Sequence, residues 1–146
     1  MKFKLIIDKT KDEEIVATVH ENSFLTEQIE ALVTQYTGSE RIVAYIDDDV
    51  KILSISQIEC ITVIDGKTYA ICEQGVHYRL KQRLYELEKL LPATFIKINK
   101  SCIANEKRIE RFSATISGAV DVIFMCGYRD CVSRRCFAEI KRRYNI

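Results

Sequence analysis

Between Phe95 and Asn105 the chain reads FIKINKSCIAN, a run that sets cations, an amide and a hydroxyl beside a short apolar stretch. Ile96 and Ile98 alternate with Lys97 and Asn99, so a strand here buries the isoleucines and turns Lys97 and Asn99 outward. Lys100 and Ser101 follow where the alternation breaks. Lysine, asparagine and serine on a rigid strand end suit phosphate oxygens and base edges. The same groups also make an ordinary solvated strand end, which is the commoner use of such a sequence. Two other places carry related side chains: Lys67 directly after Asp65-Gly66, and Ser133-Arg134-Arg135 near the carboxy terminus.

Other chemistries find less support. The chain holds no Gly-rich phosphate loop and no G-x-S-x-G turn, and neither His20 nor His77 has a serine or cysteine nucleophile arranged nearby in sequence. No enzyme, cofactor or small-molecule substrate is expected. Cys126, Cys131 and Cys136 are spaced too widely for a zinc knuckle and lie far from both histidines, so no metal site is expected. Most of the six cysteines sit in apolar runs, as reduced buried thiols do. Asp47-Asp48-Asp49 lacks the longer loop, glycine and distal glutamate of a calcium site, and reads as a solvated turn.

The elements that must position these groups are short. Phe3 to Ile7 and Glu14 to Val19 read as strands. Asn22 or Ser23 caps a helix with Leu25, Ile29, Leu32, Val33 and Tyr36 on one face, ended by Gly38. From Arg41 onward the chain predicts strands at Ile42–Ile46, Val50–Ile55, Ile58–Ile64, Thr68–Cys72 and Val76–Leu80. Asp65-Gly66 is a strong two-residue hairpin signal, and it presents Lys67. Leu84, Leu87, Leu90 and Leu91 make a short helix stopped by Pro92, ringed at its start by Arg79, Lys81 and Arg83. Strands at Ile109–Phe112 and Val120–Met125, a fragment at Cys131-Val132 and a helix capped by Ser133 complete the chain.

Composition sets the partners. With 47% hydrophobic and 29% charged residues the 146-residue chain suits a soluble globular protein, and no run approaches the ~20 apolar residues a membrane helix needs. It is expected in the cytoplasm, without membrane insertion. The formal charge of +1 hides an asymmetry. Residues 1–50 hold five Lys/Arg against eleven Asp/Glu, a balance of −6; the remaining 17 basic and 10 acidic residues give +7. A basic remainder calls for an anionic partner. The pairs of exposed aromatics that stack single-stranded bases are missing, since Tyr69, Tyr78 and Phe95 do not form that pattern, so duplex DNA is favoured over single strands. The alternatives are a protein-interaction module whose basic loops dock an acidic partner, and a redox sensor built on Cys126, Cys131 or Cys136.

FIKINKSCIAN, the Lys107-Arg108-Ile109 that follows and CVSRRCF at 131–137 together resemble the signature of the LytTR family of bacterial DNA-binding domains. The resemblance covers about residues 42 to 144, including the helix YELEKLL, and Phe95, Ser101, Asn105, Ser133 and Arg134 keep their positions. It implies an α+β fold, mainly antiparallel β, of packed sheets with short helices that reads the major groove with loops in place of a recognition helix. It places base-reading on Lys67, Asn99, Lys100 and Arg135 and backbone contacts on Ser101 and Arg134, with Lys97 adding salt-dependent affinity and Asn105 holding a turn. The common His-Arg pair of the family is Asn99-Lys100 here, which loses the bidentate fork of arginine. The first 41 residues read as an N-terminal β/α extension, too short for a receiver domain, and residues 42–146 as the DNA-binding domain. The chain thus resembles the stand-alone regulators of the family, expected to bind double-stranded DNA and regulate transcription as a homodimer joined through the Leu25–Tyr36 helix.

Overall fold

Alternating apolar residues dominate the chain after residue 40, and they close two antiparallel sheets over shared cores. The computed structural model describes residues 1–12, 14–38 and 41–146, which separate into two compact units, Met1–Gly38 and Ser39–Ile146.

In the first unit, α1 spans Phe24–Gly38. Its start is tied locally: the Thr26 hydroxyl donates to the Ser23 carbonyl (2.8 Å) and accepts from the Ser23 amide (2.9 Å). The strands expected at Phe3–Ile7 and Glu14–Val19 do not form, and among the described residues 1–23 there is no strand. Phe3, Leu5, Ile7, Ile15 and Val16 stay exposed. A short extended segment with no neighbouring edge leaves its backbone groups to water, and alternation alone then fixes nothing. Ile15, Ala17 and Val19 line a groove with Ile29 and Val33 of α1. The side chain of Tyr36 and the connection at residues 39–40 lie outside the described residues.

The second unit contains a seven-stranded antiparallel sheet in the order β2-β1-β5-β4-β3-β7-β6 and a three-stranded sheet in the order β10-β9-β8. The first is built from β1 (Arg41–Ile46), β2 (Asp49–Ser54), β3 (Ile58–Ile64), β4 (Lys67–Cys72), β5 (His77–Leu80), β6 (Phe95–Asn99) and β7 (Cys102–Asn105). The second comprises β8 (Ile109–Ala114), β9 (Val120–Phe124) and β10 (Arg129–Val132). Helix α2 (Leu84–Leu90) follows β5, and α3 (Arg134–Tyr144) closes the chain. Asp65 and Gly66 both take left-handed φ, 51° and 74°, as the mirror-image turn of a tight hairpin requires.

Strand periodicity gives the large sheet two buried faces. Ala44, Leu53, Ile58, Ile61 and Leu80 pack on one side with Leu87 of α2. Cys60, Ile71, Ile98, Cys102 and Ala104 pack on the other with Val122 and Phe124 of the small sheet and Ile140 of α3. Neighbours such as Cys60 and Ile61 therefore serve opposite cores, which is why β3 reads as a continuous apolar run. The centre of the sheet is covered on both faces, while β2 at one edge stays largely exposed and the strand ends present polar groups.

Candidate nucleic-acid interface

Antiparallel pairing brings the three sequence segments of interest to one end of the large sheet. Lys67 opens β4 opposite Ile64, at the tip of the β3–β4 hairpin. On the other flank of β3, Val63 donates its amide to the Ser101 carbonyl (2.9 Å), so the Lys100-Ser101 turn stands beside that hairpin. The third segment is bound to the second, since the Ser133 amide donates to the Ile98 carbonyl (2.9 Å). Lys67, Asn99, Lys100, Ser101, Ser133, Arg134 and Arg135 are thereby gathered at one end.

The β10–α3 junction gathers donors and cations at one helix start. The Ser133 hydroxyl caps α3 by accepting from the Cys136 amide (3.2 Å). The first turn of α3 holds no acid, and Arg134 and Arg135 lie exposed in it. Guanidinium groups at the positive end of a helix dipole are electrostatically unfavourable until an anion arrives, and backbone N–H groups there point the same way. Among the described residues Lys67, Lys100, Arg134 and Arg135 make no ion pair, so the whole charge faces solvent. Lys97 differs. It leaves β6 toward α2 and pairs with Glu88 at 3.8 Å, an exposed contact that holds it only weakly.

Asn99 is placed unusually. The pairing of β6 with β7 shifts register between Lys97 and Asn99. Such a bulge re-aims the side chains that follow it. The carboxamide of Asn99 turns toward β10, donating to the Cys131 carbonyl (2.7 Å) and to Asp130 Oδ1 (3.3 Å) and accepting from the Ser101 amide (2.8 Å). Asp130 is a residue that sequence reasoning missed, for a contact between strands of two different sheets leaves no local pattern. Lys81, read from sequence only as part of the basic ring before α2, belongs to this end as well. It follows Leu80, the pairing partner of Thr68, and adds an exposed cation to the same end, its Nζ 4.5 Å from the centre of the Tyr45 ring.

The opposite end of the sheet has a different character. Arg108 is bound to Glu73 (2.8 Å) and to the Ser56 carbonyl (3.0 and 2.8 Å). Glu106 accepts from Arg143 (3.0 and 3.1 Å) and from the Tyr144 hydroxyl (2.7 Å). Burial opposes ionisation of Glu106, but those hydrogen bonds outweigh it and hold its carboxyl below the ordinary glutamate range. Asn105 fixes the neighbouring turn, donating to the Ile58 carbonyl (2.9 Å) and accepting from the Lys107 amide (3.2 Å). The Asp47-Asp48 turn also falls here, since Tyr45 pairs with Arg79 and the chain runs on toward Tyr78.

Cys126, Cys131 and Cys136, the thiols a redox reading would use, are free, with Cys131 exposed and the other two partly so. The six cysteines are free, and burial pushes the Cys60 thiol well up and Cys72 to about 12, which suppresses the nucleophilic thiolate. His77 is occupied with the Gly75 carbonyl (2.8 Å) and stands edge-on to Tyr69 and Tyr128. Among the described residues no cluster of His, Cys, Asp and Glu could hold a metal ion, and no helix is long and apolar enough to cross a membrane.

Comparison with known proteins agrees with this geometry. The family model of the LytTr DNA-binding domain matches residues 48–145. An uncharacterized HTH-type transcriptional regulator of Staphylococcus aureus (strain MSSA476) is 31% identical over 149 aligned positions, covering 100% of this chain and 99% of the relative. A namesake from strain NCTC 8325 is 30% identical over the same span. Among solved structures, the LytTr DNA-binding domain of a Bacillus cereus protein described as a methyl-accepting/DNA response regulator superimposes with a TM-score of 0.67 at 22% identity. That match covers 73% of this chain and 98% of the other and establishes the common fold. Among the described residues α1, α2 and α3 are each separated by strands, so no helix directly follows another to make a helix-turn-helix. With the family model spanning most of the chain and the sheets matching the solved fold, the chain belongs to the LytTr DNA-binding domain family.

Proposed function

We propose that this protein binds duplex DNA at specific sites through the major groove and so regulates transcription in the cytoplasm, acting as a homodimer. Lys67, Lys100 and Arg135 reach base edges, while Lys97, Ser101, Ser133 and Arg134 follow the phosphate backbone and Asn99 completes the interface between them. The observation that carries this reading is the convergence of three separate basic segments on one sheet end with four cations free of ion pairs. Unpaired cations on a rigid frame are the arrangement that phosphate binding by counterion release rewards.

Fluorescence anisotropy on random duplex across a salt series, followed by selection of bound sequences from a random pool, tests the proposal. A steep loss of affinity with salt and a recoverable consensus are expected. Binding that ignores salt, or a pool with no consensus after several rounds, removes the sequence-specific reading. The homodimer rests on the first unit, where Phe24, Leu25 and Leu32 of α1 are exposed and an apolar groove runs beside the helix. Sedimentation at micromolar concentration should give the dimer mass, with and without DNA, and a monomer in both conditions would refute it.

A further inference from the structure

The resemblance to the family assigns Asn99 to base reading, but its carboxamide is already committed. Both N–H groups have acceptors, at Cys131 O (2.7 Å) and Asp130 Oδ1 (3.3 Å), and Oδ1 accepts the Ser101 amide at 2.8 Å. A bidentate contact to adenine needs one of those N–H groups and that same oxygen. Reading a base would therefore dismantle bonds that hold the turn. Asp130 is fixed in its turn, Oδ1 also accepting the Cys131 amide at 2.7 Å. Asn99 is only partly exposed, whereas Lys100, Arg134 and Arg135 are exposed.

We propose that Asn99 is a positioning residue: with Asp130 as its anchor, it clamps the Lys100-Ser101 turn to the strand that leads into Arg134 and Arg135, fixing the spacing of two separate reading elements. This rests on the DNA-binding reading above. Lys100 lies in the β6–β7 turn of the large sheet and Arg135 in α3, which follows the small sheet, and a duplex is read by both only if their separation matches the rise of the groove. Beside the Ser133–Ile98 backbone bond, the Asn99 carboxamide is the hydrogen-bonded link between turn and junction among the described residues. Its loss leaves the cations present and their spacing loose.

The distinguishing experiment is a binding profile on a selected duplex and on variants of it changed one base pair at a time, at several salt concentrations. Asn99→Ala should lower affinity for the selected duplex about tenfold, the scale of a lost preorganising hydrogen-bond set. Discrimination should weaken at the base pairs facing Lys100 and at those facing Arg135 together, with the salt slope unchanged because no phosphate contact is removed. Asn99→Asp, which sets a carboxylate against Asp130, should be worse than Asn99→Ala. Combining it with Asp130→Asn should recover part of the loss, since the carboxylate pair is relieved and a donor supplied from position 130, while the bond to the Cys131 carbonyl stays broken. A base-reading amide is not restored by such an exchange. Discrimination lost at a single base pair and unrescued by the exchange overturns the clamp, as does an Asn99→Ala protein that binds and discriminates like the native one. Thermal melts of each variant separate these outcomes from unfolding. A native protein with no salt-sensitive duplex binding overturns the DNA reading itself.

Discussion

The two ends of the large sheet are built from the same hairpins, yet they treat their arginines in opposite ways. At one end Arg108 and Arg143 are each locked to a glutamate and to backbone carbonyls. At the other, Lys67, Lys100, Arg134 and Arg135 have no acidic partner among the described residues. Stability asks for the first arrangement, and an unpaired cluster of like charge costs folding free energy through self-repulsion. The difference teaches that the unpaired end is held by its hydrogen bonds, through Ser101, Asn99 and Ser133, while its charges stay unpaired, as the proposed binding of a polyanion requires. The acidic turn at Asp47 and Asp48 sits where it does not oppose that partner.

Removing charge at one end and then the other is the most direct way to break this comparison. Lys100→Ala with Arg135→Ala should lower affinity for a selected duplex by about a hundredfold or more, each base contact being worth about 1–3 kcal/mol. Arg108→Ala with Arg143→Ala should leave the affinity of the folded protein within about twofold and lower its melting temperature instead. Equal damage to DNA binding from both pairs would dissolve the distinction. A finer cut is Arg134→Ala, for which affinity should fall uniformly across sequences and the slope of log K against log salt should flatten by about 1.

The paired end makes its own predictions in pH. Because Glu106 ionises more readily in the folded state, its contribution is present above the ordinary glutamate range and is lost as pH falls through the folded pKa. Glu106→Gln should melt about 3 °C lower at neutral pH, with the gap closing in acid. Glu59 has the opposite sign. Its carboxyl is raised chiefly by burial, with Oε2 left without a hydrogen-bond partner, so its ionised form works against folding at neutral pH. Glu59→Gln should raise the melting temperature by about 1 °C at neutral pH, and the gain should vanish as pH falls through the raised pKa toward the ordinary range. A loss of stability at neutral pH would mean that the lone oxygen finds a partner in solution.

Much of the unpaired end was visible in the residues. Asp65-Gly66 announces a tight hairpin because few other pairs accept two left-handed φ values, and Ser133 announces a helix start because its hydroxyl can take the Cys136 amide. Leu84 and Leu87 of α2 mark a buried face at helical spacing, with Leu87 enclosed and Leu90 left exposed. What stayed hidden depends on tertiary neighbours. The apolar alternation at Phe3–Ile7 says that a strand could form, while only an adjacent edge could make it one. The carboxamide of Asn99 looked free because Asp130 and Cys131 meet it across two sheets. Glu59, enclosed at 1% exposure inside the apolar run of β3, follows no rule of local pattern at all.

The pairing of β3 with its two neighbours also sets an order of events in folding. Its bond to β4 closes over a two-residue turn, so the hairpin bearing Lys67 can form early and by itself. Its bond to β7, where Thr62 meets Cys102, must close a long intervening loop that includes α2 and β5. β6 pairs with β7 across a short turn of its own, so the two strands join the sheet together through that closure. A local opening of the β6–β7 hairpin would carry Asn99, Lys100 and Ser101 away from Lys67 and uncover Ile98, Cys102 and Ala104, so the proposed recognition surface depends on a core that both sheets share.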